Sequence, residues 1–125
     1  MNTENSMQTY LRSNGNITIL DLQGELVRGA EGQLFDLVKQ LLAKDQKYVL
    51  LNLAEVPIMD SIGIGSLIMA YKNILAAGGK LKLLNPSVRT RQLLSMTKLQ
   101  PLFEIFDDEA TALASFAAIG KTGST

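Results

Sequence analysis

The sequence predicts a single α/β domain with a mixed, mostly parallel sheet, about four helices and the element order ββαβαβαβα. Strand-like runs alternate with segments of helical periodicity, which is typical of a parallel sheet with crossover helices. Residues 48–53 are apolar at almost every position, as in a strand covered on both faces. Asn14-Gly15 stands between the first two strand-like runs and is typical of a tight antiparallel hairpin.

The first half of the chain supplies three strands and one helix. The two hairpin strands are predicted at residues 7–13 and 17–22, and Gly24 ends the second. Leucines and a valine then repeat at helical spacing, which predicts an amphipathic helix over about residues 33–44. The polar turn at residues 45–47 leads into the buried third strand at 48–53.

The second half alternates helices with two further strands. The second helix ends near Ala77, and its predicted inner face carries Ile64, Leu67, Ile68, Tyr71, Ile74 and Leu75. Lys80 and Lys82 alternate with leucines, so we expect a strand at residues 80–84 with both lysines on a solvent-facing side.

Ser87 is the predicted cap of a third helix, whose inward residues are Leu93, Leu94 and Met96. A short edge strand is predicted at residues 103–106, followed by a last helix that reaches about Ala118. The domain therefore spans residues 7–118. The polar segments 1–6 and 119–125 are predicted to be flexible.

Composition limits the classes of function. Twelve basic residues balance twelve acidic ones, so no positive surface suggests nucleic acid binding. The chain has no cysteine and no histidine, which excludes thiolate chemistry and a Ser-His-Asp triad. The first residues lack the apolar core of a signal peptide, and no apolar run approaches the ~20 residues of a membrane span. We expect a cytoplasmic protein without membrane insertion.

The most informative stretch, residues 56–67, joins the buried third strand to the second helix. Asp60 and Ser61 fall where the loop becomes a helix, a position that favours side chains able to accept bonds from free backbone N–H groups. The same position tolerates a phosphate. Ser61 is therefore either a helix cap or a hydroxyl that is phosphorylated as a switch.

Two glycines and an apolar face accompany Ser61. Gly63 and Gly65 lie in the first helical turn, where each costs up to about 1 kcal/mol relative to alanine, so a surface that a partner approaches closely would explain them. Ile62, Ser66, Met69 and Asn73 share a face that differs from the core stripe. This face is either a docking surface or is covered by another layer of the domain.

Other motifs are weaker. Residues 63–68 begin like a dinucleotide fingerprint but have Ile68 at the third glycine position. Asp60 could be a phosphoaccepting aspartate, but the acidic pair and the lysine that this chemistry needs are missing from their places. A small hydrolase or phosphotransferase that uses Ser61 or Asp60 is disfavoured by the lack of histidine.

Residues 59–67, Met-Asp-Ser-Ile-Gly-Ile-Gly-Ser-Leu, resemble the phosphorylation-loop signature of STAS domains, specifically of the bacterial anti-sigma factor antagonists (anti-anti-sigma factors). Segments 22–26, 52–56, 78–83 and 103–110 resemble further parts of these domains in the right order. The resemblance therefore covers nearly the whole chain. It implies the compact STAS fold, in agreement with the predicted mixed sheet.

The resemblance also implies a function. Such a protein is a non-enzymatic phosphoprotein that regulates transcription by partner switching. Unphosphorylated, it binds an anti-sigma factor, typically a serine kinase, and frees a sigma factor; phosphorylation at Ser61 switches it off. ATP and Mg²⁺ belong to the kinase, so the chain itself needs no cofactor.

A phosphatase is expected to restore the unphosphorylated form, and the protein is expected to be a monomer or weak dimer. The expected partner-binding residues are Asp60, Ile62, Gly63, Gly65, Ser66 and Met69. The alternative is a STAS subunit of a lipid ABC transporter or of a signalling scaffold.

Overall fold

A computed structural model of the protein describes residues 7–124, with side chains described at all of these positions except 31, 100 and 117–124. The predicted element order is confirmed. The elements are β1 (Gln8–Asn14), β2 (Ile17–Gln23), α1 (Glu31–Ala43), β3 (Tyr48–Glu55), α2 (Ser61–Ala76), β4 (Lys80–Leu84), α3 (Val88–Met96), a 3₁₀ turn (Gln100–Leu102), β5 (Ile105–Phe106) and α4 (Glu109–Ser124).

The five strands form one sheet in the order β1-β2-β3-β4-β5. β1 and β2 are antiparallel and in continuous register, from Gln8 opposite Gln23 to Asn14 opposite Ile17. The hairpin is confirmed, but its two turn residues are Gly15 and Asn16, because Asn14 pairs with Ile17 as part of β1. Gly15 has φ +61°, and glycine at the first turn position is typical of a type II′ hairpin rather than of an Asn-Gly turn. The other neighbouring strands are parallel, so the loops after β2 and β3 meet at one edge, where Leu26 bridges to Met59.

Helices cover both faces of the sheet. One core cluster joins Leu20, Leu51 and Leu83 of the sheet to buried residues of α1, α2 and α3. A second, smaller cluster joins the opposite face, including Leu50, to Phe116 of α4. Neighbouring residues of β3 thus enter different clusters, which confirms the prediction that this strand is covered on both sides.

Lys82 corrects the prediction of a solvent-facing side on β4, although Lys80 is exposed as expected. Lys82 is only 2% exposed because α4 covers its face of the sheet. Its Nζ donates to Ser115 Oγ at 2.8 Å and lies 3.2 Å from Glu104 Oε1. The same atom is 4.7 Å from the centroid of the Phe116 ring. The lysine therefore joins α4 to the sheet.

Two predicted inward residues are exposed. Leu75 lies in the last turn of α2 and is 46% exposed, and Met96 ends α3 and is 78% exposed. Both stand at helix ends, beyond the part of each helix that contacts the core. None of the helices between residues 7 and 124 is long and apolar enough to span a membrane.

The predicted termini and boundaries differ from the structure in smaller ways. α4 continues to Ser124 rather than ending near Ala118, and the flexibility predicted for 119–125 stays a prediction. The segment 1–6 lies outside the described residues. β5 is shorter than predicted and comprises Ile105–Phe106, whereas Phe103 follows the 3₁₀ turn and is buried in the core.

Candidate functional site

Asp60 caps α2. Its backbone is extended, with φ −105° and ψ −173°, and its Oδ1 accepts a hydrogen bond from the Gly63 backbone N–H at 2.9 Å. Its Oδ2 accepts a second bond, at 3.2 Å, from the backbone N–H of Arg28 in the loop after β2. The Gly63 and Arg28 bonds lower the pKa of the Asp60 carboxyl. An ionised carboxylate therefore holds the loop after β2 against the start of α2.

Ser61 is the first residue of α2 and is exposed. Because the capping bond comes from Asp60, the interpretation of Ser61 as the helix cap is wrong. Within residues 7–124, no hydrogen bond engages the Ser61 side chain. The hydroxyl is thus available for modification at the positive end of a helix dipole.

Other serines near helix starts are engaged. Ser66 Oγ donates to the Gly63 carbonyl at 2.7 Å within α2. Ser87 is the cap of α3, as predicted, because its Oγ accepts from the Thr90 backbone N–H at 3.1 Å. Both are half-buried, in contrast to Ser61.

The two glycines of the first turn serve different purposes. A Cβ on Gly63 would lie 2.0 Å from the Leu26 carbonyl oxygen and 2.7 Å from Met59 Cγ. Gly63 is buried, so the interpretation that it leaves room for a partner is wrong: the space is occupied by the chain itself. A Cβ on Gly65 would meet nothing within 4 Å, so the surface is open there.

A groove of about 490 Å³ runs between α1 and α2 beside Ser61. Ile62 and Met69 are 42% and 49% exposed at this groove, which confirms their exposure and excludes a covering layer in the described chain. We call this surface the α1/α2 groove, and its lining residues are Gly32, Phe35, Val38, Ser61, Ile62, Gly65, Ser66, Met69, Ala70 and Asn73.

The α1 wall of the groove was not predicted from the sequence. Phe35 is 44% exposed, and its ring lies 5.8 Å from Lys39 Nζ. The sequence signal for this wall is that Phe35 falls outside the leucine stripe of α1 and lies one helical turn after Gly32. Four of the predicted partner residues, Ile62, Gly65, Ser66 and Met69, line the α1/α2 groove. Gly63 is instead buried against Leu26, and Asp60 caps the start of α2.

The chemistry offered by these residues is narrow. Among the described residues, no group of three or more carboxylate, histidine or cysteine side chains could hold a metal ion. The site provides an exposed hydroxyl, a neighbouring carboxylate held by backbone N–H groups, and an apolar groove. This set suits a phosphate acceptor within a protein-binding surface.

Comparison with known proteins gives a family and several relatives. A sequence model of the STAS domain matches residues 9–112. The chain is 24% identical to the anti-sigma F factor antagonist of Paenibacillus polymyxa over 115 residues, which cover 91% of this chain and 98% of the relative.

Solved structures share the fold. The Bacillus cell fate determinant SpoIIAA in its phosphorylated form has a TM-score of 0.69 and 22% identity, with 87% of this chain and 99% of that one covered. A sulfate transporter family protein from Wolinella succinogenes has a TM-score of 0.76 and 19% identity, with 88% and 92% covered. At these identities the likeness concerns the fold alone.

Proposed function

The chain belongs to the STAS domain family, and from this premise we propose that it is an anti-sigma factor antagonist switched off by phosphorylation of Ser61. In its unphosphorylated form it binds an anti-sigma factor that is also a serine kinase, and a sigma factor is released. The kinase transfers the γ-phosphoryl group of ATP to Ser61, and the complex separates. A phosphatase removes the phosphate and restores binding.

The exposed, unengaged hydroxyl of Ser61 is the observation that carries this proposal. It lies at the start of α2, and Asp60 already supplies the capping bond. A protein kinase must bring the acceptor oxygen against its own catalytic residues, so the acceptor has to be accessible. Ser66 and Ser87 use their hydroxyls in bonds within the chain and are poorer acceptors.

Phosphorylation would act on the partner rather than on the fold. A phosphate adds about −1.5 to −2 charge, and the N-terminus of α2 stabilises negative charge within the domain. Asp60 is ionised beside it. Two adjacent anions on the surface that the partner covers would have to lose water on binding, which weakens the complex.

The protein itself is proposed to be non-enzymatic. It supplies the acceptor, whereas the kinase supplies the catalytic base, ATP and Mg²⁺. The chain has no histidine, and its balanced charge gives no reason to expect direct contact with nucleic acid. We place it in the cytoplasm, where sigma factors and their regulators act.

A phosphate-mapping experiment tests this function. Immobilised protein is used to capture partners from a lysate of the native organism, with Ser61→Asp protein as the matched control bait. A captured kinase is then incubated with the antagonist, ATP and Mg²⁺, and the phosphate is located by mass spectrometry. We expect a single phosphate on Ser61 and none on Ser61→Ala protein. Modification at Ser66 or Ser87 instead would contradict the proposal.

The alternative is a STAS subunit of a lipid ABC transporter or of a signalling scaffold. Its support is the fold shared with the sulfate transporter family protein. The same capture experiment distinguishes the two functions. A transporter ATPase or other STAS proteins in place of a kinase, bound equally by wild-type and Ser61→Asp baits, would favour the alternative.

A further inference from the structure

β1 is an edge strand with an open side. It has seven residues, and in the described part of the chain no strand lies beyond it. Residues of an antiparallel strand point their backbone groups alternately toward and away from the neighbour. Asn14 and Ile17 close the hairpin and are a hydrogen-bonded pair. Thr9, Leu11 and Ser13 therefore direct their N–H and C=O groups away from β2.

This edge lacks the usual protection against pairing with another strand. β1 contains no proline, and its register with β2 has no bulge. Its one charged side chain, Arg12, is held by Asp21 at 2.6 Å and by Glu109 at 2.8 Å instead of projecting beyond the edge. Tyr10 and Leu11 are 52% and 53% exposed.

The sequence of β1 is complementary to itself in the antiparallel direction. We propose that two copies of the chain associate through their β1 strands, related by a two-fold axis that passes between the two Leu11 residues. Residues of one copy then lie opposite residues of compatible chemistry in the other.

At the axis, Leu11 lies opposite Leu11, and the hydroxyl of Thr9 lies opposite that of Ser13. Tyr10 lies opposite Arg12, and the amide of Gln8 lies opposite that of Asn14. A two-fold interface requires such self-complementarity.

The backbone supports the same register. Thr9, Leu11 and Ser13 are the residues with outward-directed groups, and the two-fold axis places them opposite Ser13, Leu11 and Thr9 of the second copy. Every bond in the new ladder therefore joins a free donor to a free acceptor. A register shifted by one residue would place outward-directed residues opposite residues already bonded to β2.

The side chains contribute on both faces. Arg12 lies on the face covered by α4, where Asp21 and Glu109 fix its guanidinium and leave 43% of the side chain exposed. The Tyr10 ring of the second copy can pack on that planar cation. Leu11 lies on the other face, where the two leucines shield one another from water. One strand from each copy buries little area, so this dimer forms at high protein concentration.

Sedimentation equilibrium over a concentration series tests the proposal. We expect the wild-type mass to rise above the 13.6 kDa of the monomer as concentration increases. Leu11→Lys places two like charges opposite one another at the axis and should abolish the rise. Met96→Lys is the matched control, because Met96 is exposed on α3, and it should associate like the wild type. Wild-type protein that stays monomeric up to millimolar concentration overturns the proposal.

A charge-pair experiment tests the two-fold axis itself. Leu11→Lys and Leu11→Glu proteins should each be monomeric, whereas their equimolar mixture should associate. The lysine and the glutamate come together only if residue 11 of one copy lies opposite residue 11 of the other. A mixture that stays monomeric while the wild type dimerises overturns the register. The wild type provides a check that needs no variant: the amide signals of Thr9, Leu11 and Ser13 should shift on dilution, and unchanged signals contradict the proposal.

Discussion

Gly63 lies against Leu26 so closely that a Cβ on the glycine would stand 2.0 Å from the leucine carbonyl oxygen. The Leu26 N–H donates to the Ile58 carbonyl at 3.1 Å, and Leu26 bridges to Met59, so the loop after β2 packs directly on the loop before α2. This approach brings the Arg28 N–H within hydrogen-bonding distance of Asp60. The position of Asp60, and of Ser61 after it, depends on the missing side chain of Gly63.

Gly63→Ala is therefore expected to destabilise the protein. A methyl group forced into a filled space costs about 1–3 kcal/mol or more, and here the obstacle is backbone. Gly65→Ala is the matched control. It gains helix propensity in open space, so its unfolding free energy should be equal or higher by up to about 1 kcal/mol. Urea unfolding of both variants measures the difference, and equal stability of the two would contradict this packing.

Substitution of Ser61 should separate folding from binding. Ser61→Ala removes an exposed hydroxyl that forms no hydrogen bond within residues 7–124, so the unfolding free energy should change by less than about 0.5 kcal/mol. Partner binding should persist and become insensitive to the kinase.

Ser61→Asp should bind the partner more weakly, because it adds an anion beside Asp60. Ser95→Asp is the control for charge alone, since Ser95 is exposed on α3, and it should bind like the wild type. Titration calorimetry with the captured partner gives the affinities. Equal binding by the Ser61→Asp and Ser61→Ala proteins would argue against an electrostatic switch.

The exposed apolar side chains of the α1/α2 groove should matter for binding more than for folding. Ile62→Ala, Met69→Ala and Phe35→Ala should each weaken partner binding, while their thermal midpoints stay close to that of the wild type. Leu67→Ala is the control from the same helix. Leu67 is fully buried, and its truncation should cost about 2–5 kcal/mol of stability. Normal binding by all three groove variants would place the docking surface elsewhere.

Acid should destabilise the domain through carboxylates that the folded state keeps ionised. Arg12 donates to Asp21, and Asn52 adds a further bond, so the pKa of the Asp21 carboxyl is lower in the folded chain than in the unfolded one. The pKa of the Asp60 carboxyl is lowered as well, by hydrogen bonds from backbone N–H groups. A lowered folded-state pKa contributes stability above the unfolded value of about 3.9, and this contribution is lost as pH falls through the folded-state value.

The unfolding free energy should therefore fall below about pH 4, and Asp21→Asn should flatten this dependence. Asp36→Asn is the control, because Asp36 is exposed on α1 and forms no hydrogen bond with the residues that the structure describes. Denaturation at a series of pH values measures the slopes. An Asp21→Asn slope as steep as that of Asp36→Asn would show that Asp21 is not responsible.

Most of the fold could be predicted from the sequence because the signals are local. Helical and alternating periodicities predict the order of the elements, and the Asn14-Gly15 pair predicts the hairpin, although the turn itself is formed by Gly15 and Asn16. The Ser61 loop was found from its position between a strand and a helix. Contacts between distant residues could not be predicted this way: the tight packing of Gly63 depends on Leu26, and the α1 wall of the groove depends on how α1 lies beside α2.

The surroundings of Lys82 are the clearest example of a contact between distant residues that local sequence patterns do not predict. Alternation along β4 correctly separates the face of Lys82 from that of Leu81 and Leu83, but it carries no information about a helix from the far end of the chain. α4 covers that face and supplies Ser115 and Phe116 as partners for the ammonium group.

The covered position of Lys82 gives a last prediction, which separates its apolar stem from its charge. Lys82→Met keeps a long side chain against the Phe116 ring. It leaves no buried group unpaired, because Ser115 still donates to the Ala112 carbonyl at 2.6 Å and Glu104 is 60% exposed. Replacement of a buried charge by a well-packed apolar group is often neutral, so stability should change by about 1 kcal/mol or less.

Lys82→Ala removes the stem as well, and the cavity should cost about 2–5 kcal/mol. Urea unfolding of both variants decides which part of the lysine holds α4 against the sheet. If Lys82→Met loses as much stability as Lys82→Ala, the bonds of the ammonium group to Ser115 and Glu104, rather than the packing of the stem, attach the helix.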